Sequence, residues 1–371
     1  MLTVVGLGED GPAGLGERAR SRISGARGLL VAERHLALFP EFAGERYPIA
    51  RGIAEAFDDL SARLEAGDVC VLASGDPLFF GFASHLVRRL GRERVEVLPH
   101  PTSVQLAFAR IGIPWDDAGW ISLHGAVLEG FLTRLGRLAR AAVLTDDDNA
   151  PSRVAAHMVD LGATGWRAWL CEDLGSPDER VREVPLETLA TMGDVAGLNL
   201  LVLERTDTSW RPPAALPYLL DEAFGSLATP REVRVLAIAA LGIRSDSVVW
   251  DVGCGTGAFA AEAGLVAREG RVWAVDVLEP RTAACLAILR TFAVDNVRVV
   301  RGRAPAVLDA LEEADAIFAG GWAGGPRRIV DACLERLWSG GRFAGVTRST
   351  DAAARIHAAL SPPRRQAELL P

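Results

Sequence analysis

The chain alternates short apolar segments with segments of helical periodicity along most of its length, and this alternation restricts its fold more than any other feature. It predicts strand–helix units packed in parallel α/β sheets. The alternation stops at Thr206–Pro217, where three prolines follow polar residues, and then restarts. Because the two halves show no internal repeat, we predict two different α/β domains, residues 1–206 and 218–371, joined by a linker at residues 207–217. The predicted strands are Leu2–Leu7, Gly28–Val31, Val69–Ser74, Val95–Leu98, Trp120–Leu123, Ala141–Thr145 and Leu198–Leu203 in the first half, and Val248–Val252, Val272–Val277, Val297–Val300, Ala314–Ala319 and Arg342–Val346 in the second.

All 40 basic side chains are arginine, and with 48 acidic residues the chain carries a formal net charge of −8. Without lysine the chain can form no pyridoxal-phosphate Schiff base and has no Walker-type phosphate loop. Any anionic substrate must therefore be bound by guanidinium groups, which pair with carboxylates in a bidentate way. The acidic balance and the absence of a basic block argue against nucleic acid as a partner.

The five cysteines are scattered, with no C-x-x-C pair, and the six histidines form no H-E-x-x-H or H-x-x-x-H pair. Neither a disulfide framework nor a protein-bound metal is therefore expected. No apolar run approaches the ~18 residues of a membrane span, and the N-terminus lacks the features of a signal peptide. We expect a cytoplasmic protein with no membrane partner.

The strongest local motif is Val248–Gly257, in which a predicted strand runs into the glycines Gly253-x-Gly255-x-Gly257 and then into a helix. Glycines at such a turn let a ligand approach the backbone, and the helix start offers free N–H groups. Asp276 ends the next strand, where a carboxylate can accept the two hydroxyls of an adenosine ribose. Asp251 precedes the turn and would repel a pyrophosphate but suits a cationic ligand. The alternative is a glycine turn without a ligand.

A second glycine motif, Gly6–Gly11, satisfies the G-x-G-x-x-G expression, and Glu33 is predicted to end the next strand. This pattern leaves open an NAD(P) site, and with it an NAD(P)-dependent oxidoreductase. Glu9 and Asp10 argue against it, because they place negative charge in the turn that would receive two phosphates. Pro12 and Gly14 also interrupt the helix that should follow.

A more promising N-terminal segment is Val71–Gly81, where an apolar strand breaks at Ser74-Gly75-Asp76-Pro77 and exposes a carboxylate at a sheet edge. Farther along, Thr102 and Ser103 are positioned to cap the helix 104–110. His124 follows the strand Trp120–Leu123. The alternative for these residues is an ordinary loop with a capping hydroxyl and a core or edge histidine.

Taken together, the motifs resemble the tetrapyrrole methylases of cobalamin biosynthesis in the first half and class I S-adenosylmethionine (SAM) methyltransferases in the second. The order of the two signatures is similar to that of the bifunctional, decarboxylating precorrin methyltransferases. The matching segments are Val4–Gly8, Leu72–Gly81, Pro101–Gln105, Ser122–Gly125, Leu144–Pro151 and Asn199–Glu204, followed by Thr229–Arg234, Val248–Gly257 and Gly302–Pro305.

The resemblance implies a tetrapyrrole methylase fold of two α/β subdomains, followed by a Rossmann-like class I domain. It implies two SAM sites, one per domain, and a tetrapyrrole substrate. The N-terminal domain would methylate C5, and the C-terminal domain would methylate C15 and remove CO2 from the ring C acetate, converting precorrin-6Y (precorrin-6B) to precorrin-8x. No residue is assigned as catalytic. Carried over by position, the SAM contacts would be Leu7, Gly75, Asp76, Phe79, Thr102, Ser103, His124 and Asn199 in the first domain, and Thr229, Gly253, Cys254, Gly255, Thr256, Gly257, Asp276 and Ala304 in the second, with Gly320 and Gly321 beside the transferred methyl.

Two features depart from the family pattern. The family commonly has an acidic residue at the end of the third strand, where this chain has Arg303. The residues after the helix Asp351–Leu360 are too few and too rich in proline for the last two strands of a class I sheet. We therefore expect the sheet to lack those strands and to leave an apolar edge that pairs with another chain, so that the protein forms a homo-oligomer.

Overall fold

The computed structural model describes residues 2–48, 68–81, 83–207, 219, 221–224 and 229–360. These residues form three five-stranded sheets with helices between the strands, which confirms the α/β class. The first two sheets lie before the proline-rich segment and the third lies after it. In the described part of the chain, no helix has the length and apolar character needed to cross a bilayer. Of the predicted linker at 207–217, only residue 207 falls within the described residues.

The first sheet is entirely parallel, with the strand order β3-β2-β4-β1-β5. Its central strands are apolar and buried along most of their length, because both faces are covered by helices. Leu7 pairs with Ser74, so β1 and β4 end at the same level and their following loops meet. The strands are β1 (Leu2–Leu7), β2 (Gly28–Val31), β3 (Glu45–Pro48), β4 (Val69–Ser74) and β5 (Val95–Leu98), and the helices are α1 (Glu17–Ser24), α2 (Glu33–Leu36) and α3 (Ala83–Leu90), with 3₁₀ turns at Gly11–Gly14 and Arg92–Arg94.

The second sheet is mixed, with the order β6-β7-β10-β8-β9. Its central strand β10 runs antiparallel to both neighbours, so the prediction of parallel sheets throughout is wrong here. Apolar periodicity identifies a buried strand but carries no information on its direction. The strands are β6 (Gly119–Ser122), β7 (Arg140–Leu144), β8 (Trp166–Glu172), β9 (Arg180–Glu183) and β10 (Asn199–Arg205), and the helices are α4 (Ser103–Ile111), α5 (Phe131–Leu135), α6 (Pro151–Asp160) and α7 (Leu186–Leu189).

The third sheet is parallel, with the order β13-β12-β11-β14-β15. Its last strand begins earlier than predicted and contains a register shift opposite Ala314 and Ala316. The predicted absence of two further strands falls on residues 361–371, which lie outside the described residues. The strands are β11 (Val248–Val252), β12 (Arg271–Asp276), β13 (Val297–Arg301), β14 (Ala314–Ala319) and β15 (Leu337–Gly345), and the helices are α8 (Arg231–Leu241), α9 (Ala258–Val266), α10 (Glu279–Thr291), α11 (Pro326–Glu335) and α12 (Thr350–Leu360), with 3₁₀ turns at Asp221–Ala223 and Leu308–Ala310.

A polar interface joins the second and third sheets. The Asp295 carboxylate, whose side chain is 1% exposed, accepts hydrogen bonds from the Leu132 and Thr133 amides at 2.9 and 3.0 Å. The ring Nε2 of His157 lies 2.9 Å from the same carboxylate. At the rim, both oxygens of Glu129 face the guanidinium of Arg298, at distances from 2.7 to 3.2 Å. The two halves of the chain therefore meet through a buried carboxylate that caps α5.

Candidate functional site

A cavity of about 230 Å³ lies between the first two sheets, where the loops after β1 and β4 face the start of α4 and of β10. Its walls combine apolar side chains with a few polar groups, the usual character of a small-molecule site. Seven residues of the predicted N-terminal set line it: Leu7, Gly75, Asp76, Phe79, Thr102, Ser103 and Asn199.

The turn after β4 is fixed by its own backbone. Gly75 adopts a φ of +60°, a conformation that favours glycine, and its N–H donates to the Leu7 carbonyl at 2.9 Å. One carboxylate oxygen of Asp76 accepts from the Leu78 amide at 2.8 Å. The turn therefore holds Asp76 at the cavity wall, where its second carboxylate oxygen accepts no hydrogen bond from the described residues.

The helix α4 begins with a complete capping box. The Thr102 hydroxyl accepts from the Gln105 amide at 3.1 Å, and the Gln105 side chain accepts from the Thr102 amide at 2.8 Å. Thr102 is thus the N-cap, as the sequence indicates, and Ser103 is the first helical residue. The start of α4, with its unpaired amides and partial positive charge, faces the cavity.

Three further residues differ in their relation to this cavity. Asn199 lines it, and its carboxamide is held by the Ala196 carbonyl at 2.6 Å and by the Thr145 hydroxyl at 2.5 Å. His124 is exposed in the loop after β6 and does not line the cavity. Cys171 lines it as well, but burial raises the pKa of its thiol to about 12, so it is not a nucleophile at neutral pH.

The Gly6–Gly11 motif has a packing explanation. A Cβ on Gly6 would overlap the Gly75 carbonyl oxygen, and one on Gly8 would lie 2.5 Å from the His100 ring. The segment after the motif is a short 3₁₀ turn and not an α-helix. Glu33 does not end a strand as predicted, because β2 stops at Val31 and Glu33 begins α2. The glycines therefore let three loops pack together, and nothing in the described residues favours a nicotinamide nucleotide.

A second cleft lies at the carboxyl ends of β11, β12 and β13. Gly253 stands at its base with a φ of +83°, and a Cβ there would overlap the backbone of Gly321 in the loop after β14. Asp276 accepts from the Gly255 amide at 3.1 Å and from the Leu278 amide at 2.9 Å. Four of the predicted residues line the cleft, namely Gly253, Asp276, Ala304 and Gly321, and so do Arg281 and Arg303.

The other predicted residues of this half support the loop and do not line the cleft. The side chain of Cys254 is buried, and contact with Cys285 together with burial raises the pKa of its thiol. A Cβ on Gly257 would lie 2.5 Å from the Cys285 sulfur, so this glycine lets α9 pack on α10. Thr229, Gly255, Thr256 and Gly320 do not line the cleft either.

Asp251 lies behind the glycine loop and is 1% exposed. Its Oδ2 has no hydrogen-bond partner among the described residues. Burial, with a smaller contribution from the charge of Asp276, raises the pKa of Asp251 to about 8, although a hydrogen bond from the Ala260 backbone opposes the shift. A cation bound on the cleft side of the loop would stabilise the ionised form.

Most of the chain matches known proteins. The family model of tetrapyrrole (corrin/porphyrin) methylases matches residues 1–190, and a precorrin methyltransferase domain model matches residues 223–361. Over 359 residues the chain is 35% identical to the precorrin-6Y C(5,15)-methyltransferase [decarboxylating] of Sinorhizobium sp, with 94% of this chain and 85% of that protein covered. The chain belongs to the precorrin-6Y C5,15-methyltransferase family.

This family member also resembles two shorter proteins over part of its length. The chain is 34% identical over 189 residues to the cobalt-precorrin-7 C(5)-methyltransferase of Salmonella typhimurium, with 51% of this chain and 92% of that protein covered. A protein of Pyrobaculum calidifontis named "probable cobalt-precorrin-6B C(15)-methyltransferase (decarboxylating)" is 41% identical over 134 residues, with 34% of this chain and 69% of that protein covered. The family is one of SAM-dependent methyltransferases.

Sequence reasoning did not identify the apolar walls of the N-terminal cavity. Leu106 in α4, Cys171 in β8 and Leu200 in β10 come from elements that meet only in the folded domain, and no local spacing connects them. Arg281 was missed in the C-terminal cleft, where its guanidinium lies 3.6 Å from Asp276. Its position in the first turn of the helix after β12 was a usable signal. In the part of the chain that the structure describes, no group of three or more potential metal ligands occurs.

Proposed function

We propose that this chain transfers two methyl groups from SAM to precorrin-6Y (precorrin-6B), to C5 in the N-terminal domain and to C15 in the C-terminal domain. The second domain also removes CO2 from the ring C acetate, giving precorrin-8x. The observation that carries the proposal is the presence of two separate clefts at strand ends in one chain of this family, each lined by residues of its own predicted SAM set.

The N-terminal cavity fits the cofactor by its shape and donors. The apolar walls suit the adenine ring and the methionine chain, whereas the free Asp76 oxygen and the α4 amides suit the polar ends. We assign its binding to Leu7, Gly75, Asp76, Phe79, Thr102, Ser103 and Asn199. His124 would contribute only after a change in the position of its loop.

The C-terminal cleft fits the cofactor by charge. Asp276 would accept the ribose hydroxyls. The Asp251 carboxyl behind the loop, whose Oδ2 has no hydrogen-bond partner among the described residues, would ionise in response to a ligand with ammonium and sulfonium charges. The backbone at Gly253 and Ala304 would face the nucleoside, with Gly321 beside the methyl group. Thr229, Cys254, Gly255, Thr256, Gly257 and Gly320 would act by shaping the loops.

The protein's part in the chemistry is to position the reactants and exclude water. When bound, SAM supplies a sulfonium methyl group that the meso carbon of the substrate attacks, leaving S-adenosylhomocysteine. No protein nucleophile is needed, in keeping with the neutral Cys171 thiol at the N-terminal cavity. The electrons released when CO2 leaves are accepted by the conjugated macrocycle, so orientation contributes most of the rate enhancement.

Anaerobic incubation of the purified chain with the precorrin substrate and SAM tests the proposal. The product mass should show two methyl groups gained and one CO2 lost, with two S-adenosylhomocysteine molecules formed per tetrapyrrole. Equilibrium binding should find two S-adenosylhomocysteine sites per chain and no nicotinamide nucleotide. A tight NADPH site with no methylated product would instead support the oxidoreductase alternative. The cytoplasmic location and the homo-oligomer remain predictions.

A further inference from the structure

An open cleft adjoins the N-terminal cavity and is lined by aromatic side chains that face solvent. Phe80 is 63% exposed and Trp120 is 51% exposed. Both pack edge-on against Phe79, with ring centroids 4.8 and 5.6 Å apart, and Phe79 lines the cavity and the cleft alike. The cleft is therefore continuous with the proposed SAM site through one ring.

The loop that carries Phe80 is strained. Phe80 has a φ of +53°, a conformation that a bulky residue rarely adopts because it strains the backbone. Hydrogen bonds on both sides hold the loop in place: the Phe79 amide donates to the Asp76 carbonyl at 3.0 Å and the Ala83 amide to the Pro77 carbonyl at 3.1 Å. The hydrogen bonds of the loop thus keep Phe80 in a strained conformation that exposes its ring to solvent. Such strain indicates a functional constraint on this residue.

The charge at this cleft is positive. Arg88 lies on the exposed side of α3 and lines the cleft together with His85. No acidic residue among those described lies within ion-pair distance of Arg88, and none lines the cleft. The guanidinium is thus available to a carboxylate from outside the chain.

We propose that this cleft holds the tetrapyrrole during C5 methylation, with Phe80 and Trp120 against the macrocycle and Arg88 paired with a peripheral carboxylate. The inference rests on the proposed function and extends it to the substrate site. Aromatic rings provide a large, rigid contact surface for a conjugated ligand, and a guanidinium pairs with a carboxylate through two hydrogen bonds. Because Phe79 lines both the cavity and the cleft, a macrocycle bound here would lie beside the proposed SAM site.

The test compares Phe80→Ala, Trp120→Ala and Arg88→Gln with matched controls. Trp115→Ala and Arg94→Gln remove an exposed tryptophan and an exposed arginine of the same domain outside the cleft. Each cleft variant should raise the KM for the tetrapyrrole in C5 methylation by about tenfold or more, with the Kd of S-adenosylhomocysteine changed by less than about twofold. Both controls should match the wild type. Unchanged KM values in all three cleft variants would overturn the inference.

Phe80→Gly removes any ambiguity from misfolding. Glycine relaxes the strained φ, so this variant should be at least as stable as the wild type and still lose tetrapyrrole affinity. Binding is measured without turnover, on protein saturated with S-adenosylhomocysteine. If the tetrapyrrole binds through these residues but C5 is not methylated, the result contradicts the proposed function and supports the cleft as the substrate site. If C5 methylation is unaffected by Phe80→Gly, the result contradicts the inference alone.

Discussion

Asp276 combines two tasks at the C-terminal cleft, because it fixes the glycine loop through the Gly255 amide and is proposed to hold the ribose. Asp276→Ala should cost about 2–3 kcal/mol of SAM affinity, or roughly a 30- to 150-fold rise in Kd. The tetrapyrrole should then accumulate with C5 methylated, C15 unmethylated and the acetate retained. Product mass spectrometry at limiting SAM makes the measurement. Asp276→Asn, which keeps one acceptor oxygen, should be less affected, and full product at the wild-type rate would refute the assignment.

Asp251 should make stability depend on pH. Its pKa is raised from 3.8 to about 8, so between these values the folded protein keeps a proton that the unfolded chain has lost. The contribution of Asp251 to the free energy of unfolding is therefore fully present below pH 3.8 and is lost as the pH rises toward 8. Relative to the wild type, Asp251→Asn should gain thermal stability between pH 5 and pH 9. A difference in Tm that is constant over this range, as expected for the exposed control Asp246→Asn, would contradict the shift.

At the scale of elements, the loops after β11 and β14 need glycine where they touch. Gly253→Ala would place a Cβ against Gly321 and strain a φ of +83°, whereas Gly255→Ala meets nothing within 4 Å and only strains its φ of +56°. We expect a loss of roughly 1–2 kcal/mol for Gly255→Ala and about twice that for Gly253→Ala. Thermal unfolding followed by circular dichroism measures both. Equal losses would show that the contact between the two loops contributes nothing.

The elements that the sequence predicted are those with a continuous apolar signal, such as β1, β4 and β11. The strands β3 and β9 are polar and lie at sheet edges, so their sequences resemble loops. The strand β8 ends in Glu172, which is fully buried and is stabilised by ion pairs with Arg180 and Arg182 and by a hydrogen bond from the Ala196 amide. Partners of this kind, like the apolar walls of the N-terminal cavity, depend on tertiary contacts and leave no local pattern.

At the scale of the whole molecule, Asp295 links the two halves. Asp295→Ala would leave the Leu132 and Thr133 amides without their acceptor and remove the partner of His157, at a cost of roughly 1–3 kcal/mol. We expect calorimetry to show one unfolding transition for the wild type and two for Asp295→Ala, while both S-adenosylhomocysteine sites persist. Glu129→Ala, at the exposed rim, should cost no more than about 1 kcal/mol. A single transition at the wild-type Tm in Asp295→Ala would show that the halves are coupled elsewhere.

The position of β10 has a consequence for the order in which the chain can fold during synthesis. This strand is the last of its sheet to be made, yet it lies at the centre and separates β7 from β8. Until residue 205 has left the ribosome, the sheet exists only as the pairs β6–β7 and β8–β9, with apolar edges facing each other. A nascent chain that pauses before this point would present two open edges to its neighbours. The second sheet can therefore close only after nearly all of the first 205 residues have been made, and its two halves must stay apart until then.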